Sequence, residues 1–180
     1  MLLFIYLNNG QRKMKIIDLG RLFLKDIKYI QMEIDKNSNR VIFTEGGIRY
    51  SLVLINTCYG GFGISNKARY LYKQLTGNKL DTYSYDCRND ALVIKIVLRL
   101  GKVARDSHAK LKICLVPEFI GNHFKIHEYD GLESLSLNID RYKIERISDI
   151  CDDTNKSSDV RIREINEVLK MEIPKVHQIY

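Results

Sequence analysis

Tryptophan is absent from this 180-residue chain, proline occurs twice, and the apolar run at its start, Met1–Leu7, covers only seven residues. A membrane-spanning helix needs about 20 apolar residues, so no membrane association is expected from that run. The cations Arg12, Lys13 and Lys15 follow the run instead of preceding it, and no small-residue cleavage site appears, so it does not read as a signal peptide. Four cysteines (Cys58, Cys87, Cys114 and Cys151) are widely spaced with no CxxC, which carries neither a disulfide framework nor a zinc spacing. Four free thiols in a reducing, intracellular compartment are therefore expected. With 11 glycines in no period and two prolines, a collagen-like chain is excluded.

What is present is ordinary globular material, 45% hydrophobic and 28% charged, which excludes a disordered tail protein. A chain of this length is expected to form one domain plus a small appendage, burying roughly 70% of its unfolded surface without staples. The unusual figure is charge: 29 Lys and Arg against 22 Asp and Glu, a net +7. It divides unevenly. Residues 148–180 hold seven acidic and five basic residues, net −2, which leaves +9 on the first 147.

The patterning predicts an α+β fold with a mostly antiparallel sheet and two or three amphipathic helices. Ile27–Ile34, Arg40–Glu45 and Ile48–Ile55 read as strands, the last two joined by Gly46-Gly47. A helix is expected after Ser65, a good N-cap, with Ala68, Leu71, Tyr72 and Leu75 on its buried side and Gly77 at its end. A second helix should run from about Asp90 to Leu100, capped by Asn89 or Asp90 and stopped by Gly101. Lys110–Val116 alternates as a half-buried strand ended by Pro117. Phe124–Tyr129 and Leu132–Leu137 flank Asp130-Gly131, a strong type I′ hairpin signal. From Ile147 the composition shifts to a polar linker (Asp149 to Ser158) and a helix from about Asp159 to Glu172, with Arg163–Glu167 and Glu167–Lys170 at pairing distance and Pro174 as its stop. The expected organisation is an N-terminal extension over 1–13, a basic α+β domain over 14–147, and a linker with a C-terminal helix over 148–180. That helix either folds back on the core or docks on a protein partner.

The segment Cys58–Ser65 joins a strand to a helix and contains Gly60, Gly61 and Gly63. It reads in three ways: a tight turn with Phe62 plugging the core, an anion site at a helix N-terminus helped by Lys67 and Arg69, or a catalytic loop with Cys58 as nucleophile. Its spacing is neither a dinucleotide fingerprint nor a P-loop. The histidines at 108, 123, 127 and 177 are all distant from Cys58 in sequence, so no base is evident. His123 and His127 are four apart, but around Phe124 and Ile126 the pattern is a strand, and no metal site or cofactor is expected. Arg88 and Asp90 before the second helix form either a ligand clamp or a cap with an ion pair. Eleven tyrosines, several near cations (Tyr29, Tyr50, Tyr70, Tyr72 and Tyr142), suit stacking on unpaired bases, although no nucleic-acid module signature is present. The alternative is that lysine and tyrosine are abundant because an AT-rich coding sequence favours them.

Asn56-Thr-Cys-Tyr-Gly-Gly-Phe-Gly-Ile-Ser65 resembles the N-x-C-Y-G-G-F-G-(L/I)-S signature of an uncharacterised family found in bacteriophages and large DNA viruses. Ala68 and Tyr72, then Arg88, Asp90 and the Leu92–Gly101 run, then Ala109–Pro117, and the hairpin Ile126, Glu128, Tyr129, Asp130, Gly131 and Glu133 extend the likeness over about residues 50–137. The chain departs from it at Ala68, which stands at the capping-box position, and at Cys114 in place of an aliphatic residue. The resemblance implies a viral origin, with residence in the host cytoplasm or virion, and supplies no activity.

Two functions are expected from these residues. The first is a non-enzymatic viral accessory protein that binds RNA or a ribonucleoprotein through its basic body, with Lys67, Arg69 and Tyr72 as nucleic-acid contacts. In that reading residues 159–172 recruit a protein partner, in a setting such as host takeover or translation. The second is a small enzyme or ligand-binding domain that holds a nucleotide-like anion, with Asn56, Tyr59, Gly60, Gly61, Phe62, Gly63, Ser65, Arg88, Asp90, Tyr129 and Asp130 as its site.

Overall fold

The computed structural model describes residues 31–35, 37–173 and 176–178. The expectations for residues 1–13, Met14, Ile27–Ile30, Tyr29, Pro174 and Tyr180 lie outside that set. Strands β1 (Gln31–Asp35), β2 (Arg40–Glu45), β3 (Ile48–Asn56), β4 (Leu111–Pro117) and β7 (His177–Gln178) form one antiparallel sheet in the order β1-β2-β3-β4-β7. Strands β5 (Phe124–Tyr129) and β6 (Leu132–Leu137) form a separate hairpin. Helices α1 (Asn66–Thr76), α2 (Ala91–Leu100), α3 (Ile139–Asp152) and α4 (Ser158–Lys170) complete an α+β fold.

The sheet is the middle of three layers, because β3 and β4 are buried on both faces. Successive strand side chains alternate between faces. Leu52, Leu54, Ile113 and Leu115 point to a core shared with Val93, Ile94 and Val97 of α2 and with Ala68 and Leu71 of α1. Val53 and Val116 point the other way, to a smaller core with Ile120, Phe124, Leu135, Leu137 and Tyr142 of α3. This double burial explains why Ile48–Ile55 reads as a nearly continuous apolar run.

Local signals decide the element ends. Ser65 Oγ accepts from Ala68 N at 3.2 Å, and Gly77 ends α1 at φ +80°. Asp90 Oδ1 accepts from Leu92 N and Val93 N, both at 2.9 Å, which caps α2. Asp130 (φ +50°) and Gly131 (φ +81°) make the expected two-residue turn.

The C-terminal third differs from expectation. α3 replaces most of the polar stretch: Asp149 and Asp152 are helical, the boundary near Ile147 falls inside the helix, and only residues 153–157 separate α3 from α4. α3 and α4 pack on each other, burying Ile150 and Val168, and β7 then pairs with Cys114 and Leu115 of β4. The chain thus folds back in cis. The pairs Arg163–Glu167 and Glu167–Lys170 do not form; Lys156 reaches Glu164 at 2.8 Å instead.

Candidate functional site

Asn56 ends β3 fully buried, and each of its polar atoms has a partner. Its Nδ2 donates to the carbonyls of Cys58 and Gly131, both at 2.6 Å, and its Oδ1 accepts from Lys110 N at 2.7 Å. Its backbone N–H donates to Glu133 Oε2 at 2.7 Å. One amide therefore ties β3 to the start of the glycine loop, the approach to β4 and the tip of the β5–β6 hairpin. A buried side chain with this many partners fixes geometry, since orphaning any of them costs about 1–3 kcal/mol.

Glu133 sits on β6 in the inward row with Leu135 and Leu137. A carboxylate in such a row needs a cation, and Arg88 supplies it through a bidentate pair at 2.6 and 2.7 Å. Arg88 also lies 3.3 Å above the centroid of the Phe62 ring. The Arg88 and Glu133 side chains are 11% and 5% exposed, so this pair is inside the protein. Phe62 packs against the main core, as the tight-turn reading expects, and its ring also roofs the guanidinium.

Close approach requires glycine at 63 and 131. A Cβ on Gly131 would strike the backbone of Gly60 and Gly61, and one on Gly63 would strike the Asp106 carboxylate. Ser65 caps α1 and donates to the Val103 carbonyl at 2.7 Å, while Asp106 N donates back to the Gly63 carbonyl at 3.2 Å. The loop is thus strapped between residues 103–110 and the hairpin tip. This arrangement is the tight-turn reading.

The structure brings Asn56, Gly60, Gly61, Phe62, Gly63 and Arg88 together, with the Asn56 and Arg88 side chains bonded within the protein. Tyr59 and Tyr129 are exposed beside it, and Asp130 stands at the hairpin tip. Asp90 belongs to the α2 cap. Cys58 Sγ approaches the His108 backbone carbonyl at 3.2 Å and Asn56 Oδ1 at 3.4 Å, and among the described residues no histidine ring or carboxylate bonds to it. Burial pushes the thiols of Cys87 and Cys114 up to about 11, so neither is a ready nucleophile. No metal-holding group of His, Cys, Asp or Glu occurs among the described residues.

Of the nucleic-acid candidates, Lys67 and Arg69 are exposed on α1. Tyr72 is not: it packs against the main core with Leu71 and Leu75, and burial raises its phenol pKa. Tyr70, 62% exposed, stands on the outer side of α1 instead. Tyr50 is buried and Tyr142 lies against Phe119 and His123, so neither offers a free ring.

Sequence reasoning missed a larger feature. Residues 56–80 and 91–105, which contain α1 and α2, carry eight cations and no carboxylate; Asp81, Asp86 and Asp90, the α2 cap, lie between them, and Asp106 follows. Those cations are Lys67, Arg69, Lys73, Lys79, Lys95, Arg99, Lys102 and Arg105. Helices α1 and α2 contact each other on one face of the sheet, and none of the eight takes part in an ion pair among the described residues. Six of them are exposed; Lys95 is half-buried, and burial lowers its pKa. The signal was available in the sequence as two acid-free stretches, but only the fold places them side by side.

A second feature also went unread, a cleft of about 620 Å³ between the β1–β2 turn, the 3-10 turn Tyr85–Arg88 and the start of β5. It lies across Arg88 from the glycine loop.

Fold and site together define a three-layer α+β protein with a strapped loop, two basic helical stretches and a cleft beside Arg88. Among the described residues no helix is long and apolar enough to cross a membrane. Compared with protein families, curated proteins and solved structures, the chain shows no match.

Proposed function

We propose that this chain is a non-enzymatic binding module, a viral accessory protein by its resemblance, that holds the phosphate backbone of RNA on its α1–α2 face. The observation that carries the reading is the set of eight cations in the α1 and α2 stretches, which hold no carboxylate of their own and form no ion pair among the described residues. Unpaired cations on one face attract a polyanion and release its counterions on binding. Tyr70 sits among Lys67, Arg69 and Lys73 on α1, which suits stacking on an unpaired base. The reading does not use the Gly60–Ser65 loop, which is strapped between residues 103–110 and the hairpin tip. A protein partner at α4 is supported by Ile162 and Leu169, which stand 59% and 55% exposed.

Fluorescence anisotropy of a labelled single-stranded RNA across a salt series tests the RNA reading. If about five phosphates are neutralised, log affinity falls against log salt with a slope of about −3.5. No binding at low salt removes it.

A further inference from the structure

The cleft beside Arg88 has the size and the chemistry of a ligand site. Its volume of about 620 Å³ falls within the range of roughly 300–1,000 Å³ typical of small-molecule pockets. Its walls are joined to one another by hydrogen bonds. Asn39 Nδ2 donates to Asp90 Oδ2 at 3.1 Å, Ala91 N donates to the Asn39 carbonyl at 3.0 Å, and Arg40 bonds to the Asn122 side-chain oxygen. These contacts tie the β1–β2 turn to α2 on one side and to the start of β5 on the other. The shape is therefore set before any ligand arrives.

Several groups lining it remain uncommitted. Lys125 has no ion pair among the described residues, and the Arg40 guanidinium holds only the Asn122 amide oxygen there. The Tyr85 ring is 66% exposed, with its centroid 5.8 Å from the Arg88 guanidinium carbon. The Asp86 carboxylate accepts no hydrogen bond among the described residues, whereas both oxygens of Asp90 are occupied by donors. Two cations suit a phosphate, an aromatic ring suits a flat heterocycle, and a carboxylate suits sugar hydroxyls.

We propose that this cleft binds a nucleoside phosphate, its base against Tyr85, its phosphate between Arg40 and Lys125, and its ribose hydroxyls toward Asp86. A free nucleotide and the terminal nucleotide of an RNA share this chemistry. The site is separate from the α1–α2 face and does not depend on that face binding RNA.

Calorimetric titration of the full chain with AMP, UMP, ribose 5-phosphate and inorganic phosphate tests it. A nucleotide binds; ribose 5-phosphate, lacking the base, binds about tenfold more weakly. Lys125→Glu and Tyr85→Ala each weaken the nucleotide by about tenfold, while Lys67→Glu leaves it unchanged. Both altered residues are exposed, and unchanged melting curves verify that the variants fold. Competition by a 5′-phosphorylated dinucleotide assigns the site to strand ends, and lack of competition assigns it to free nucleotides. The proposal is overturned if no nucleotide binds, if inorganic phosphate binds as tightly as AMP, or if the two cleft variants bind like the unaltered protein.

Discussion

On one side of the central sheet, the α1–α2 layer carries eight cations with no carboxylate in the same stretches; on the other, residues 139–172 carry seven cations beside nine carboxylates. The second set is largely engaged. Arg141 pairs with Glu145 at 2.7 Å, Lys156 with Glu164 at 2.8 Å, and Lys143 and Arg161 donate to the carbonyls of Leu169 and Cys151, both at 2.9 Å. A coding preference for lysine scatters cations over every surface and does not remove acids from one of them. The segregation therefore restores weight to charge as a functional argument, which the net figure of +7 alone does not have.

The turn before α2 is joined to the β5–β6 hairpin through the Arg88–Glu133 pair, and breaking it gives the largest expected effect. Arg88→Met strands a buried carboxylate and should cost about 3–5 kcal/mol in urea unfolding. Adding Glu133→Leu should recover much of that loss, because the second change removes the orphaned charge. A loss under about 1 kcal/mol in the single variant, the level of an exposed pair, would mean that the turn and the hairpin are held elsewhere.

A matched pair of charge reversals sharpens the contrast directly. Lys67→Glu/Arg69→Glu/Lys73→Glu should weaken RNA binding by about 100-fold at low salt, and Arg146→Glu/Arg163→Glu/Lys170→Glu by less than about threefold. Equal losses in the two triple variants would return the interaction to overall charge.

The smallest effect is in acid. Arg141 and, secondarily, His123 hold Glu145 below its ordinary pKa, and the Asn155 N–H and Lys156 do the same for Asp153. A lowered folded-state pKa stabilises the protein above the ordinary carboxylate range, and that contribution is lost as pH falls through the lowered values. Hydrogen exchange on acidification should therefore rise first in α3 and α4. Helix α1, which is capped by the Ser65 hydroxyl and holds no carboxylate, should stay protected over the same interval. Simultaneous loss of protection in both layers would break the contrast.

What was legible in the sequence was local. Ser65, Gly77, Asp90, Gly101 and Asp130-Gly131 act within a few residues of themselves, so caps and turns fell where composition placed them. α3 was missed because it buries a single residue, Ile150, and its many charges imitate a linker. Tyr72 reads from the sequence both as part of the buried side of α1 and as a nucleic-acid contact; the helical phase it shares with Ala68 and Leu75 decides for the former. Glu133 was within reach, since the alternation Glu133, Leu135, Leu137 puts a carboxylate in an apolar row and demands a cation. No sequence pattern could name Arg88 as that cation, or seat a two-residue β7 beside β4, because both pairings are long-range.

The contact of Gly131 with Gly60 and Gly61 has a consequence for inheritance. The two glycine-bearing turns are about seventy positions apart along the chain, yet Gly131 cannot gain a side chain while the Gly60–Gly61 backbone keeps its present path. A lineage that adds a side chain at 131 must reshape the 60–61 turn in step, or lose the Asn56 bonds that reach both turns. For selection they are a single character written in two places, and recombination between them separates halves of one part.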